Sequence, residues 1–430
     1  MNKERGLHEL FNDDPERADA LAFGRRGLLK GASLAAVGAA IGAVLPFGRS
    51  MPGGYIPLAL AQDTKLNFPG KSTDLIILGD RPLVTETPAT LLDADVTPTD
   101  VHFIRNNGTI PDVPAEPDAW QLVIDGEVDK PLTITLGDLK KRFPTVTYQL
   151  MLECGGNGRA QFQPPAKGNP WTTGGAGCAK WTGIRLRDVL QAVGLKASAT
   201  YTGHFGVDQH LSGDPSKSPL SRGIPIAKAL EEYTLLAFAM NGESLPQIHG
   251  APLRLLVPGW TGSASQKWLN RIWIRDREHD GQGMKGTSYR VPTIPIVPGS
   301  ESHGEGFRVL EAMPVRSLIT SPADGQQLPS GTRTLDVRGH AWAGERRIRE
   351  VWLSIDYGQS WLPTTLKEPV NRYAWQHWSA QVKVPTAGYY EIWARAVDSE
   401  GWSQPFAPAN WNPQGYGANA YHRIAVLVHA

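Results

Sequence analysis

Leu152-Glu153-Cys154-Gly155-Gly156-Asn157-Gly158-Arg159 is the stretch from which the rest of the chain is read. The run Val146 to Leu152 before it has the length and composition of a strand, and glycines follow at once. Cys154 therefore falls where a buried strand opens into a loop of close backbone approach. A thiolate placed there is a soft ligand suited to a redox metal. Gly155 and Gly156 leave room for a bulky cofactor, and Arg159 brings a fixed positive charge for an anion. The competing reading of the same residues is an inert cysteine buried beside a tight turn.

Working outward, 430 residues are too many for one ordinary core, so two large domains and an extension are expected. Lysine plus arginine (43) and aspartate plus glutamate (42) nearly cancel, which argues against nucleic acid or a polyanionic surface as partner. Any bound anion must be held by local cations. Glycine (46), proline (34) and tryptophan (14) describe a loop-rich, β-leaning chain. Cys154 and Cys178 are its two cysteines, with no CxxC or CxxCH motif, so no disulfide framework, c-type haem or iron–sulfur cluster is expected. Cys178 reads as a small packed residue.

Residues 1–61 read as a leader. Gly24-Arg25-Arg26-Gly27-Leu28-Leu29-Lys30, an uncharged run from Gly31 to Phe47 and Ala59-Leu60-Ala61 resemble a twin-arginine export signal with its cleavage site. An uncleaved membrane anchor is the alternative, disfavoured because the run is short and diluted with glycine. Residues 62–99 read as an extended arm. Strands are expected from His102 to Arg105 and from Trp120 to Glu127, helices over Leu136–Phe143 and Ile184–Val193, and a buried strand over Thr234–Met240. His204, Asp208 and His210 lie close together without a metal-site spacing. His249, Arg254 and Lys267 frame one apolar strand and suit a phosphate-bearing ligand. Beyond a polar connector from Ser300 to Glu311, short alternating runs separated by turns point to an immunoglobulin-like β-sandwich over residues 312–430. Eight of the tryptophans lie between Trp342 and Trp411, as packing or interface aromatics.

Several motifs together resemble the sulfite oxidase family of molybdenum–pterin enzymes, from about residue 100 to the end. They are Phe103-Ile104-Arg105-Asn106, the Cys154 to Arg159 loop, Trp171-Thr172-Thr173-Gly174 and Lys180-Trp181-Thr182-Gly183. With them go Met240-Asn241-Gly242, His249-Gly250-Ala251-Pro252-Leu253-Arg254, Lys267-Trp268-Leu269 and Asn419-Ala420-Tyr421-His422-Arg423. The fold that this implies is α+β, a molybdopterin-binding catalytic domain over residues 100–311, followed by the all-β sandwich as a dimerisation domain. Within the family, the leader, the length and the lack of a haem segment are similar to the molybdenum subunits of periplasmic sulfane dehydrogenases (SoxC). Those work with a dihaem cytochrome c (SoxD) on sulfur held by a carrier protein.

The resemblance implies a molybdenum–molybdopterin cofactor with Cys154 as the protein's metal ligand. It implies cofactor contacts from Phe103, Ile104, Arg105, Asn106, Asn107, Asp208, His249, Arg254, Ser265, Gln266 and Lys267. Arg105, Arg159 and Trp171 fall at the substrate side. Departures bear on the substrate: Asn107 replaces a histidine, Gly158 an arginine, Leu220 or a neighbour a tyrosine, and Gln376 a second-domain arginine. Fewer cations suit a sulfane presented on a protein arm better than free sulfite. The expectation is a periplasmic oxidoreductase for carrier-bound sulfane, passing electrons to a cytochrome c, and a homodimer or heterotetramer through the sandwich. A free-sulfite dehydrogenase is the alternative. A non-enzymatic binding module and a reductase of methionine sulfoxide are less favoured.

Overall fold

The computed structural model describes residues 66–430, so the expected leader lies outside the described residues. Two five-stranded sheets build the first half. One contains Thr145–Glu153, Ala176–Arg185, Leu235–Met240 and Glu243–Ser244 in antiparallel neighbour order, with Arg254–Leu256 also pairing to Leu235–Met240. The other runs Leu132–Thr135, Gln121–Gly126, Leu269–Arg275, Tyr201–Gly206, Ser221–Arg222, and its Gln121–Gly126 and Leu269–Arg275 strands are parallel. Leu122, Ile124, Ile184, Leu236, Leu255 and Ile272 belong to one buried cluster that joins the two sheets. Burial of these apolar faces is the dominant stabilising term.

Helix Leu136–Arg142 begins at Thr135, whose side-chain oxygen accepts from Asp138 N at 3.1 Å, and ends in basic residues that suit the negative helix terminus. Helix Leu186–Val193 buries Leu186, Val189, Leu190 and Val193, the spacing of one helical face, and stops at Gly194, whose φ is +72°. This helix starts later than the sequence pattern suggests. Ile184 and Arg185 remain in the preceding strand because they pair with Leu236 and Leu235. After Pro225 the chain makes a single helical turn, Ile226–Ala229.

The arm is more than a surface wrap. Ile76–Asp80 and Leu83–Glu86 form a hairpin whose second strand pairs with Ile104–Arg105, so the arm supports the stretch that leads to Arg105.

Two sheets form the second half. Arg316–Ser321, Thr334–Trp342, Gln376–Lys383 and Thr365–Leu366 make one; Gln326–Leu328, His422–Val428, Gly388–Asp398, Ile348–Ser354 and Leu362–Pro363 make the other. Burial alternates along Thr334–Trp342, and Val337, Leu353, Trp378, Ala394 and Val426 fill the space between the sheets. This is the expected sandwich. Among the described residues no helix is long and apolar enough to cross a membrane.

Candidate active site

Cys154 follows the strand Thr145–Glu153 directly. Its backbone N–H donates to Gly175 O at 2.8 Å and its carbonyl accepts from Asn157 N at 2.9 Å, which fixes the loop from both sides. The glycines do not leave open space, as the sequence reading expects. A Cβ on Gly155 would lie 2.5 Å from Thr261 Oγ1, and one on Gly156 would strike the Arg159 guanidinium. Glycine is needed because protein atoms already occupy those positions. Burial pushes the Cys154 thiol up, with Arg105 and Arg159 opposing, so a cation is needed at the sulfur before it ionises readily.

Cys154 lines a cleft together with polar and charged side chains from several segments. Phe103, Arg105, Asn106, Asn107, Asp208, His249, Arg254, Ser265, Gln266 and Lys267 all line it. The structure thus brings most of the sequence-derived cofactor residues together with the cysteine. Ile104 differs: its side chain is fully buried with Leu66, Leu75 and Ile248, because strand alternation points it away from Phe103 and Arg105. Arg159 and Trp171 stand behind the cleft. Arg159 donates through Nε to Gln414 O at 2.7 Å and through Nη1 to Asn169 O at 2.8 Å. Trp171 is fully buried, edge-on to Phe103 at 6.0 Å.

The far end of the cleft gathers cations. Lys267 donates to Asn106 Oδ1 and, at 2.8 Å, to Ile248 O; Arg254 donates to His249 O at 2.8 Å and lies 5.1 Å from the Trp181 ring. Burial, then neighbouring positive charge, holds Lys267 and His249 well below their ordinary values, and burial lowers Arg254 to about 9. Asp208 is raised to about 6 by burial, with Lys267 opposing. No aligned partner satisfies Arg105 Nη1, His102 Nε2, Asp208 Oδ1, Arg254 Nε or Gln266 Oε1, although all are buried. Unpaired buried polar atoms and crowded cations around one cleft fit a polar, anionic ligand. The phosphate and the hydrogen-bonding ring edges of a molybdopterin meet that demand.

Of the candidate metal trio, His204 is buried against Thr202 at 2.7 Å, His210 is at the surface beside Ser212, and Asp208 alone reaches the cleft. Cys178 is fully buried and its thiol is pushed up to about 12 by burial, as fits a packed residue.

Two features escaped the sequence reading, and one residue that it named, Gln376, lies elsewhere than the cleft. Glu153, beside the cysteine and 3 % exposed, accepts from Trp342 Nε1 at 2.7 Å and Asn157 Nδ2 at 3.0 Å and forms an ion pair with Arg316, whose Nε lies 2.6 Å away. The sandwich therefore buttresses the cysteine loop. Tyr289 lines the cleft beside Leu220 and stacks on Tyr416 at 4.9 Å, while Tyr416 lies under Arg159 at 5.4 Å. Gln376 opens onto a separate cavity with Met151, Glu153 and Trp342, away from this cleft. None of these carried a local signal, since each depends on segments far apart in the chain.

Residues 107–283 match the oxidoreductase molybdopterin binding domain family, and residues 308–429 match the Mo-co oxidoreductase dimerisation domain family. The chain is 34% identical to sulfite oxidase of Gallus gallus over 374 residues, 84% of this chain and 80% of that one. It is 33% identical to mitochondrial sulfite oxidase of Homo sapiens over 390 residues, 86% of this chain and 69% of the relative. Among solved structures, the sulfane dehydrogenase SoxCD of Paracoccus pantotrophus superposes with a TM-score of 0.66 at 25% identity, covering 88% of this chain and 94% of the other. With a cysteine-headed cleft and both domains of the architecture in place, the chain belongs to the sulfite oxidase family of molybdenum oxidoreductases.

Proposed function

We propose that this chain is the molybdenum subunit of a periplasmic sulfane dehydrogenase. It oxidises sulfane sulfur carried on a cysteine of a carrier protein and passes electrons to a dihaem cytochrome c. The twin-arginine reading of residues 1–61 supplies the compartment, residues 100–311 the catalytic domain, and residues 312–430 the dimerisation module.

The supporting observation is the distribution of charge along the cleft. Lys267, Arg254 and His249 crowd its far end, whereas Arg105 is the arginine lining it on the cysteine side. Gln376, at the place of a second-domain arginine, faces another cavity. A weakly cationic mouth suits a singly charged persulfide on a protein arm better than a small dianion.

When bound, molybdenum–molybdopterin supplies two-electron oxidation with oxygen-atom transfer. Cys154 would hold the metal as a thiolate. Lys267, Arg254 and His249 would hold the phosphate; Asn106, Asn107, Asp208, Ser265 and Gln266 would take the polar edges, and Phe103 a ring face. Arg105 keeps Nη1 free for oxyanion charge growing on sulfur, and such a preorganised cation acts most strongly where water is excluded. Arg159, with Nε and Nη1 already committed, orients the loop and adds charge from behind. Trp171 and Phe103 keep the cysteine side dry. Cys154→Ser should abolish turnover while far-UV circular dichroism stays unchanged; an active variant removes the ligand assignment.

A free-sulfite dehydrogenase is the second reading, favoured by the 34% identity with sulfite oxidase of Gallus gallus. Anaerobic mixing of cofactor-loaded protein with free sulfite or with a carrier bearing cysteine-bound sulfane separates the two. Reduction seen in optical and paramagnetic resonance spectra with the carrier, and slow or absent with sulfite, supports the first. Fast reduction by sulfite alone overturns it.

A further inference from the structure

Lys71 belongs to the arm, outside both matched family segments. Its ammonium nevertheless reaches the cation cluster. Nζ donates to Thr99 O at 2.6 Å, to His102 O at 2.7 Å and to His249 Nε2 at 3.1 Å. Ser72 N–H adds a bond to Asp100 O at 3.0 Å. One side chain therefore joins three segments: the arm, the loop that delivers Phe103 and Arg105 to the cleft, and the turn that carries His249.

An ammonium can only donate, so His249 Nε2 must accept, and a neutral His249 ring then carries its proton on Nδ1. The His249 ring is 2 % exposed and meets His102 edge-on at 5.2 Å. Burial lowers Lys71 to about 7, with Asp100 opposing. Lys71, Arg254 and Lys267 have no ion pair within 4 Å among the described residues, apart from what a ligand in the cleft would supply. Their mutual repulsion works against docking of the arm, and a phosphate dianion in the cleft reverses its sign.

We propose that Lys71 is a positioning residue of the cofactor site, a latch by which the arm closes behind His249 when the phosphate of the cofactor occupies the cation cluster. The inference rests on the molybdopterin reading of the cleft and adds a coupling to it: cofactor binding orders the arm, and the arm slows cofactor loss. Linkage makes the two effects reciprocal.

The test compares wild type, Lys71→Met and Lys71→Arg, each purified with and without cofactor. Pterin release is followed by fluorescence, and arm closure by limited proteolysis and amide exchange at Ser72. In wild type the loaded protein should protect the arm and the cofactor-free protein should expose it. Lys71→Met should release pterin about tenfold faster, the factor that about 1.4 kcal/mol gives, and expose the arm even when loaded. Lys71→Arg should restore most of both. Equal release and equal protection in Lys71→Met overturn the latch. If Lys71→Met does not accumulate, identical arm protection in loaded and cofactor-free wild type overturns it instead. Wild type that never holds a pterin refutes the cofactor reading itself, a distinct outcome.

Discussion

Two groups of buried charge flank the cysteine, and they are built oppositely. Behind Cys154, Arg316 and Glu153 are each 3 % exposed and face one another at 2.6 Å, with Trp342 and Asn157 completing the carboxylate. At the far end of the cleft, Arg254 and Lys267 line the wall with two buried histidines and Asp208, and Lys71 reaches His249 from the arm. A charge removed from water is tolerable only if something compensates it. The first group is compensated by the protein and is structural. The second lacks such compensation from the protein, which is what an anion-binding site requires.

The largest effect should come from breaking the paired group. Arg316→Met leaves Glu153 buried and unpaired, and is expected to cost about 3–5 kcal/mol in chemical denaturation. A loss below about 1 kcal/mol would mean that water reaches Glu153, and the contrast with the cleft would weaken.

Lys267→Met acts in the opposite direction. Removing a buried cation that lacks a carboxylate partner should stabilise the cofactor-free protein by about 1 kcal/mol, while pterin content falls sharply. Melting of the cofactor-free variant and pterin assay of the purified protein check both halves. Destabilisation together with full pterin content would show that Lys267 is structural, like Arg316.

The same contrast predicts a pH dependence. Lys71 is lowered to about 7 by burial, and Lys267 and His249 lie well below their ordinary values for the same cause. The unfolded lysines keep their protons up to the ordinary value of 10.5. Between about pH 7 and about 8.5 the unfolded chain therefore binds more protons than the folded, cofactor-free protein, and stability rises with pH. Asp208, raised to about 6, titrates below that window, and the buried thiols oppose the trend only above their ordinary value of 9.0. Bound phosphate should flatten the slope. Equal slopes with and without cofactor would separate the cations from the ligand.

The smallest effect belongs to an exposed pair. Asp93 and Arg338 meet at 2.8 Å with side chains 32 % and 44 % exposed, tying the arm to the sandwich. Asp93→Asn should cost less than about 1 kcal/mol and lose even that in high salt. A cost comparable to that of Arg316→Met would show that burial is not what separates these pairs.

Much of this was legible in the sequence. Period-two alternation marks the strands of the sandwich, such as Thr334–Trp342, because it repeats every second residue. The step from strand to glycine loop at Cys154 is local as well, and the family motifs carry most of the cleft with them. A motif names neighbours without saying which face each takes, so it does not reveal that the Ile104 side chain turns away from the cleft. The reading of Gly155 and Gly156 as open space failed because Thr261 and Arg159, which fill it, arrive from elsewhere in the loop and chain.

By itself the sequence determined the two-domain architecture, the family and the place of a cysteine at the end of a buried strand. All three are written in local spacing or contiguous motifs. Only the tertiary structure decided which charges are paired. Glu153 meets Arg316 across the domain junction, and Lys71 meets His249 from the arm. Such pairing depends on distance in space, and charges remote in sequence leave no periodic trace of it.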